Sequence, residues 1–133
     1  MSLLRHLVPR KIRAPFARYS HAVEAGGWLH VTGQLPVDPD APDQPLPEGI
    51  EAQAQLCFRN VDRIVEHAGF ALSDTVFVRI YLREFDTDYT GFNRIYDHYF
   101  DDTARLPART TIGVARLGRN ARVEIDAVLY SSR

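Results

Sequence analysis

Cysteine is nearly absent. Cys57 is the only one in 133 residues, so no intrachain disulfide is available and a reducing compartment is compatible with the chain. Long hydrophobic runs are missing too: charges interrupt the sequence well before the roughly 18 apolar residues of a membrane helix, so no membrane span is expected. Nor is there an excess of charge of one sign. The 16 Lys and Arg against 17 Asp and Glu leave a net charge of -1, which gives no general attraction to phosphate backbones and argues against a dedicated nucleic-acid binder. What is present, 45% hydrophobic and 25% charged residues, suits one globular domain over 1–133, long enough to bury about two thirds of its unfolded surface without a structural metal. A cytoplasmic location is expected.

The N-terminal segment departs from this balance. Arg5, Arg10, Lys11, Arg13 and Arg18 all precede the first acid, Glu24, a bias shared with transit peptides. However, Ser2 and Ser20 supply little serine, and Pro9 and Pro15 interrupt any amphipathic helix.

Tyr19 to Ala25 and Trp28 to Thr32 read as strands joined through Gly26-Gly27, a pair that supplies the positive φ values of a two-residue hairpin turn. Asp38 to Gly49 holds four of the eight prolines and no periodicity, which makes it a surface loop. Ile50, Ala54, Cys57, Val61, Ile64, Val65 and Ala68 then recur at steps of three and four, predicting a helix ended by Gly69. From Ser73 to Arg83 the period becomes two, with Val76, Val78, Ile80 and Leu82 on one face of a strand.

Asp86, Thr87 and Asp88 offer a cap for a second helix, with Tyr89, Phe92, Ile95, Tyr96, Tyr99 and Phe100 as an aromatic core face and Leu106-Pro107 as its stop. Arg109 to Leu117 and Ala121 to Tyr130 read as a last strand pair linked by residues 118–120. The resulting order, ββαβαββ, is an α+β arrangement of one sheet with two helices on one face. The other face would carry Phe77, Tyr81, Val128 and Tyr130 with Arg79, Glu124 and Asp126, too apolar for water and too charged for a closed core. Oligomerisation through the sheet, with a polar cavity between subunits, is therefore expected.

Several chemical signatures are missing. The glycines of GVARLG, 113–118, have P-loop spacing, but Arg119-Asn120 follows where Lys-Ser/Thr is needed. His6, His21, His30, His67 and His98 show no spacing suited to a closed metal site, so no metal is expected. Ser20-His21, as neighbours on a strand, would point to opposite faces and form no nucleophile and base pair. Arg109 and Glu124 remain. An arginine opening a strand beside a suspected interface is placed to meet a small carboxylate through a bidentate pair, or else to bridge to Glu124 or Asp126. Glu124 can orient a water or act as a base, or answer an arginine across the interface.

The motifs APFARYSHAV, VTGQLPVDP, the NV...AG pattern, FNRIYDHYF, PARTTIGVARLG and VEIDAVLY extend from about Pro15 to Tyr130. Together they resemble the YjgF/YER057c/UK114 family, also called RidA or reactive intermediate deaminase A. The resemblance implies a chorismate-mutase-like fold and a homotrimer with clefts between subunits. It implies hydrolytic deamination of 2-aminoacrylate-type enamines or imines to 2-oxo acids and ammonia, without a metal or organic cofactor. Arg109 then matches the arginine that binds the substrate carboxylate, and Glu124 the glutamate that, with a backbone carbonyl, positions a water. Tyr19, Gly33 and Asn93 match further substrate-site positions, each with a plainer reading as an interface aromatic, a relaxed strand end and a solvated helix residue. His21 and Thr111 stand where the family often has glutamine and cysteine bordering the cleft, a change bearing on substrate shape and polarity. Two other functions compete: binding of 2-oxo acids or similar metabolites without turnover, and RNA cleavage or translational inhibition through a basic spot of Arg116, Arg119 and Arg122.

Overall fold

A computed structural model describes residues 4–7 and 17–132. Its elements are β1 (Arg5–Leu7), β2 (Ala22–Ala25), β3 (Trp28–Gln34), α1 (Ile50–His67), β4 (Thr75–Leu82), α2 (Phe85–Tyr99), β5 (Ala108–Gly113) and β6 (Val123–Tyr130). The strands form one six-stranded mixed sheet in the order β1-β2-β3-β6-β4-β5. Both helices pack on one face of it, over a core that includes Leu29, Val31, Val78, Ile80, Leu82, Val123, Ile125 and Leu129. The expected α+β layering is thus observed, with β1 added to the predicted order. Arg10, Lys11, Arg13, Pro9 and Pro15 lie outside the described residues. Arg5 lies within them: it pairs with Glu24 across β1 and β2 and donates to the Ala68 carbonyl at 2.9 Å.

Turn chemistry fixes the first hairpin. Gly26 and Gly27 take φ values of 57° and 87°, as the right-handed twist of the flanking strands requires. The end of α1 is equally local. Gly69 adopts φ 82°, its N–H bonds to Glu66 O at 2.9 Å, and Phe70 N–H reaches Val65 O at 3.0 Å, so the last carbonyls are satisfied and Phe70 turns into the core. The two helices approach closely at Gly91, where an added Cβ would stand 2.8 Å from Ile50 Cγ2. Beside that contact Phe58 of α1 stacks on Tyr99 with centroids 4.7 Å apart and meets Phe92 at 5.9 Å.

Four sequence readings need correction. Arg109 to Leu117 and Ala121 to Tyr130 do not form a hairpin: β5 ends at Gly113 and runs parallel to β4, which lies between it and β6. The segment after Gly113, including most of GVARLG, is a crossover ending in a short turn at Gly118–Asn120. Val76 is 41% exposed because the β4–β6 register shifts between Thr75 and Phe77, which turns it out of the face kept by Val78, Ile80 and Leu82. Finally, α2 ends at Tyr99, ahead of Leu106-Pro107, and starts at Phe85 without a side-chain cap.

Asp88 serves a different purpose from capping. It is buried and receives Arg122 Nε at 2.8 Å and Nη2 at 2.9 Å, while the Arg122 N–H donates to Gln53 Oε1 at 2.8 Å. Gln53 in turn donates to Pro47 O at 2.9 Å, and Arg119 donates to Pro42 O and Gln44 O at 3.1 and 3.2 Å. The proline-rich loop is therefore tied to α1, α2 and the entry of β6. Asp88→Ala leaves a partly buried guanidinium without its partner and is expected to cost about 3 kcal/mol of stability in urea denaturation.

Candidate functional site

Parallel pairing places Arg109 beside Val78 and Thr111 beside Ile80. Because Val78 and Ile80 face the helices, Arg109 and Thr111 lie on the helix side of the sheet edge, against α2. Arg109 Nε donates to Thr111 Oγ1 at 2.8 Å, and Nη2 donates to Asn93 Oδ1 at 2.6 Å. The guanidinium carbon lies 4.4 Å from the centroid of Tyr96, 5.5 Å from that of Phe92 and 5.8 Å from that of Tyr89. Three rings and two neutral oxygens thus hold a positive charge in one orientation. Burial pushes the Tyr96 phenol above its ordinary pKa, with Arg109 acting in the opposite direction. Among the described residues Arg109 has no ion-pair partner, which removes the reading of a bridge to Glu124 or Asp126 within the subunit.

Asp126 is engaged elsewhere, accepting Arg79 Nε and Tyr81 Oη, each at 2.9 Å. Both carboxylates of β6 lie on the sheet face away from the helices, beside Tyr81 and Arg79 of β4. Their environments differ. Asp126 is supplied with two donors, whereas Glu124 accepts no hydrogen bond from any described residue and is only partly open to solvent. Burial, then the neighbouring Asp126 charge, pushes the Glu124 carboxyl above the usual carboxylate range. A half-buried acid with vacant acceptor positions is suited to hold a water or take up a proton.

The space for this carboxylate comes from Gly33. A Cβ there would fall on the Glu124 side chain, 2.9 Å from its Cδ. The glycine does more than relax a strand end: it lets Glu124 lie flat over β3. Gly33→Ala is expected to preserve the fold, since the obstructed group is a movable side chain, but to displace the Glu124 carboxylate. A drop of about tenfold in any turnover that uses Glu124, with a thermal midpoint close to the wild type, is the expected combination.

The predicted residues therefore divide. Arg109, Asn93 and Thr111 meet at the β5 edge, and Glu124 meets Gly33 on the open face. The two groups sit on opposite sides of the sheet with β4 between their strands. Tyr19, 43% exposed, precedes β2 on the far side of β3. His21 is buried, with Nδ1 3.3 Å from Gln34 Nε2. Of the three arginines of the basic spot, Arg119 and Arg122 are engaged by loop carbonyls and by Asp88. The sequence reading assigns Tyr89, Phe92 and Tyr96 to a core face and gives no sign that they surround Arg109. Tyr89, Phe92, Asn93 and Tyr96 share one helical face through spacings of three and four, and that periodicity alone could have placed rings and amide together.

The family model for Endoribonuclease L-PSP matches residues 11–130. The chain is 38% identical over 125 residues to a RutC family protein of Aquifex aeolicus, covering 94% of this chain and 98% of that protein. It is 35% identical over 115 residues to a 2-iminobutanoate/2-iminopropanoate deaminase of Dermatophagoides farinae, covering 86% and 87%. The chain belongs to the YjgF/RidA family. The crystal structure of Escherichia coli TdcF with bound serine superposes with a TM-score of 0.88 at 26% identity, covering 96% of this YjgF/RidA chain and 99% of that one.

Proposed function

We propose that this YjgF/RidA protein is a hydrolytic deaminase of 2-aminoacrylate-type enamines and their imine tautomers, yielding 2-oxo acids and ammonia. The observation that carries this reading is Arg109: an oriented guanidinium with hydrogen-bonding capacity left over and no carboxylate partner among the described residues. A bidentate pair with the substrate carboxylate completes it. Glu124 holds a water that adds to the imine carbon. The new C–O bond gives a carbinolamine, whose nitrogen leaves as ammonia after proton transfer, while the C=O bond of the 2-oxo acid forms. Imines already hydrolyse in water, so orientation of one carboxylate and one water supplies the few kcal/mol the reaction needs.

Because Arg109 and Glu124 lie on opposite faces of one sheet, a small substrate cannot meet both within a subunit. The reading therefore includes assembly, as a homotrimer in which the β5 edge of one copy meets the open face of the next. That face carries exposed Trp28, Val76, Ile112 and Tyr130, with Trp28 and Tyr130 in contact at 4.8 Å between centroids, and such an apolar surface favours coverage. The test is 2-oxo acid release when small and bulky imines are generated in situ. Acceleration above the protein-free rate supports the deaminase. Binding of 2-oxo acids without acceleration of any imine favours a metabolite-binding protein instead.

A further inference from the structure

Thr111 approaches Arg109 from a side that restricts how a carboxylate can be received. A guanidinium offers two forked edges: a side-on edge through Nε and one Nη, and an end-on edge through both Nη atoms. The Nε–H of Arg109 is already donated to Thr111 Oγ1 at 2.8 Å, so the side-on edge lacks one of its two hydrogens. Asn93 Oδ1 takes one Nη2 hydrogen at 2.6 Å and the Tyr96 phenol is a further hydrogen-bond neighbour of the guanidinium, so every hydrogen left for a ligand is on an Nη atom. The Tyr96 ring, 4.4 Å from the guanidinium carbon, limits tilting of the plane. Thr111 is itself stiff. It is β-branched, it sits in a strand paired through Ile80, and its hydroxyl oxygen is a ready acceptor.

We propose that Thr111 is a positioning residue that acts through Arg109: by occupying Nε–H it confines the substrate carboxylate to the end-on edge and so sets where the imine carbon lies. The proposal rests on the deaminase reading for its catalytic consequence, but the docking edge itself is measurable without turnover. Removing the hydroxyl frees Nε–H and opens the side-on edge. A carboxylate then still binds, in a rotated position that carries the imine carbon away from the water.

The variants are Thr111→Val, which keeps the shape without the acceptor, and Thr111→Ser, which keeps the acceptor. With 15N-labelled arginine, 2-oxobutanoate is expected to perturb the Nη resonances of Arg109 in the wild type and leave Nε–H slowly exchanging. In Thr111→Val, Nε–H exchanges rapidly when free and shifts when 2-oxobutanoate binds, with Kd within about threefold of the wild type, while kcat for imines falls about tenfold. Thr111→Ser restores both the protection and the rate. A Thr111→Val protein with wild-type kcat, or one that loses affinity and kcat together, overturns the proposal. So does a wild type whose Nε–H shifts directly on binding. Failure of the deaminase reading looks different: no imine is turned over, yet the shift from Nη to Nε–H contacts on losing the hydroxyl still decides the docking edge.

Discussion

Replacing Arg109 with alanine is expected to lower kcat/KM for imine hydrolysis by about 10³-fold, the loss of two charge-assisted hydrogen bonds to a carboxylate. Asn93 and Thr111 meet Arg109 through Oδ1 and Oγ1 and the rings of Tyr89, Phe92 and Tyr96 surround it, so none of these five neighbours carries a positive charge to take its place. Arg109→Lys keeps the charge but not the planar fork, so it should recover little of the lost activity. The fold should tolerate both changes. Arg109 is in no ion pair among the described residues, so its removal strands no opposite charge, and the two hydrogen bonds and the cation–π contacts it gives up, each worth about 1 kcal/mol, lie at the sheet edge. Steady-state kinetics beside thermal unfolding checks the pair of expectations. A well-folded Arg109→Ala protein with near wild-type kcat/KM would remove the carboxylate anchor from the mechanism.

Much of the fold was readable because local chemistry and packing agreed. Ile50 to Ala68 shows a stripe that tertiary structure uses unchanged, and Gly26, Gly27 and Gly69 stand where the backbone requires positive φ. What was lost was pairing. Sequence adjacency suggested that the last two strands were partners, whereas β5 belongs beside β4 and the chain crosses over to reach β6. Period two could not disclose this, since a strand buries the same residues whichever neighbour its backbone bonds to. Asp88 misled for a related reason. An acid in the first turn of a helix is an ordinary capping signal, and only the distant Arg122 turns it inward.

The site was legible as a set of residues but not as a geometry. Arg109 and Glu124 stood out by chemistry, yet their separation by a strand and by the thickness of the sheet appears only once the strand order is known. Gly33 looked conformational because a glycine in a strand usually is. Its use here is spatial, visible only when the Glu124 carboxylate is seen lying over it. The aromatic spacing along α2 reads as core, and Phe92 and Tyr96 are buried. The same rings also hold Arg109, because β5 ends the sheet beside them.

Glu124→Gln is expected to separate activity from stability. Losing the carboxylate that orients water should reduce kcat by about 10³-fold, within the range of a positioned acid or base. Stability should move the other way. The Glu124 pKa is raised in the folded subunit, so the folded state holds its proton more tightly than the unfolded chain does, and ionisation disfavours the fold. The penalty is absent below the ordinary carboxylate range, grows as pH rises through the raised pKa and is complete above it. Glutamine removes it, so the variant should unfold at a higher temperature than the wild type near neutral pH, with the difference vanishing in acid. The wild-type rate should likewise fall on acidification at a pH above that of an ordinary glutamate. If Arg109 and Glu124 act from different copies, refolding equal amounts of Arg109→Ala and Glu124→Gln subunits together should rebuild intact sites. Random assembly places a functional arginine opposite a functional glutamate at about one quarter of the clefts, so about a quarter of wild-type activity should return from two inactive proteins. A mixture as inactive as its components would exclude the shared cleft.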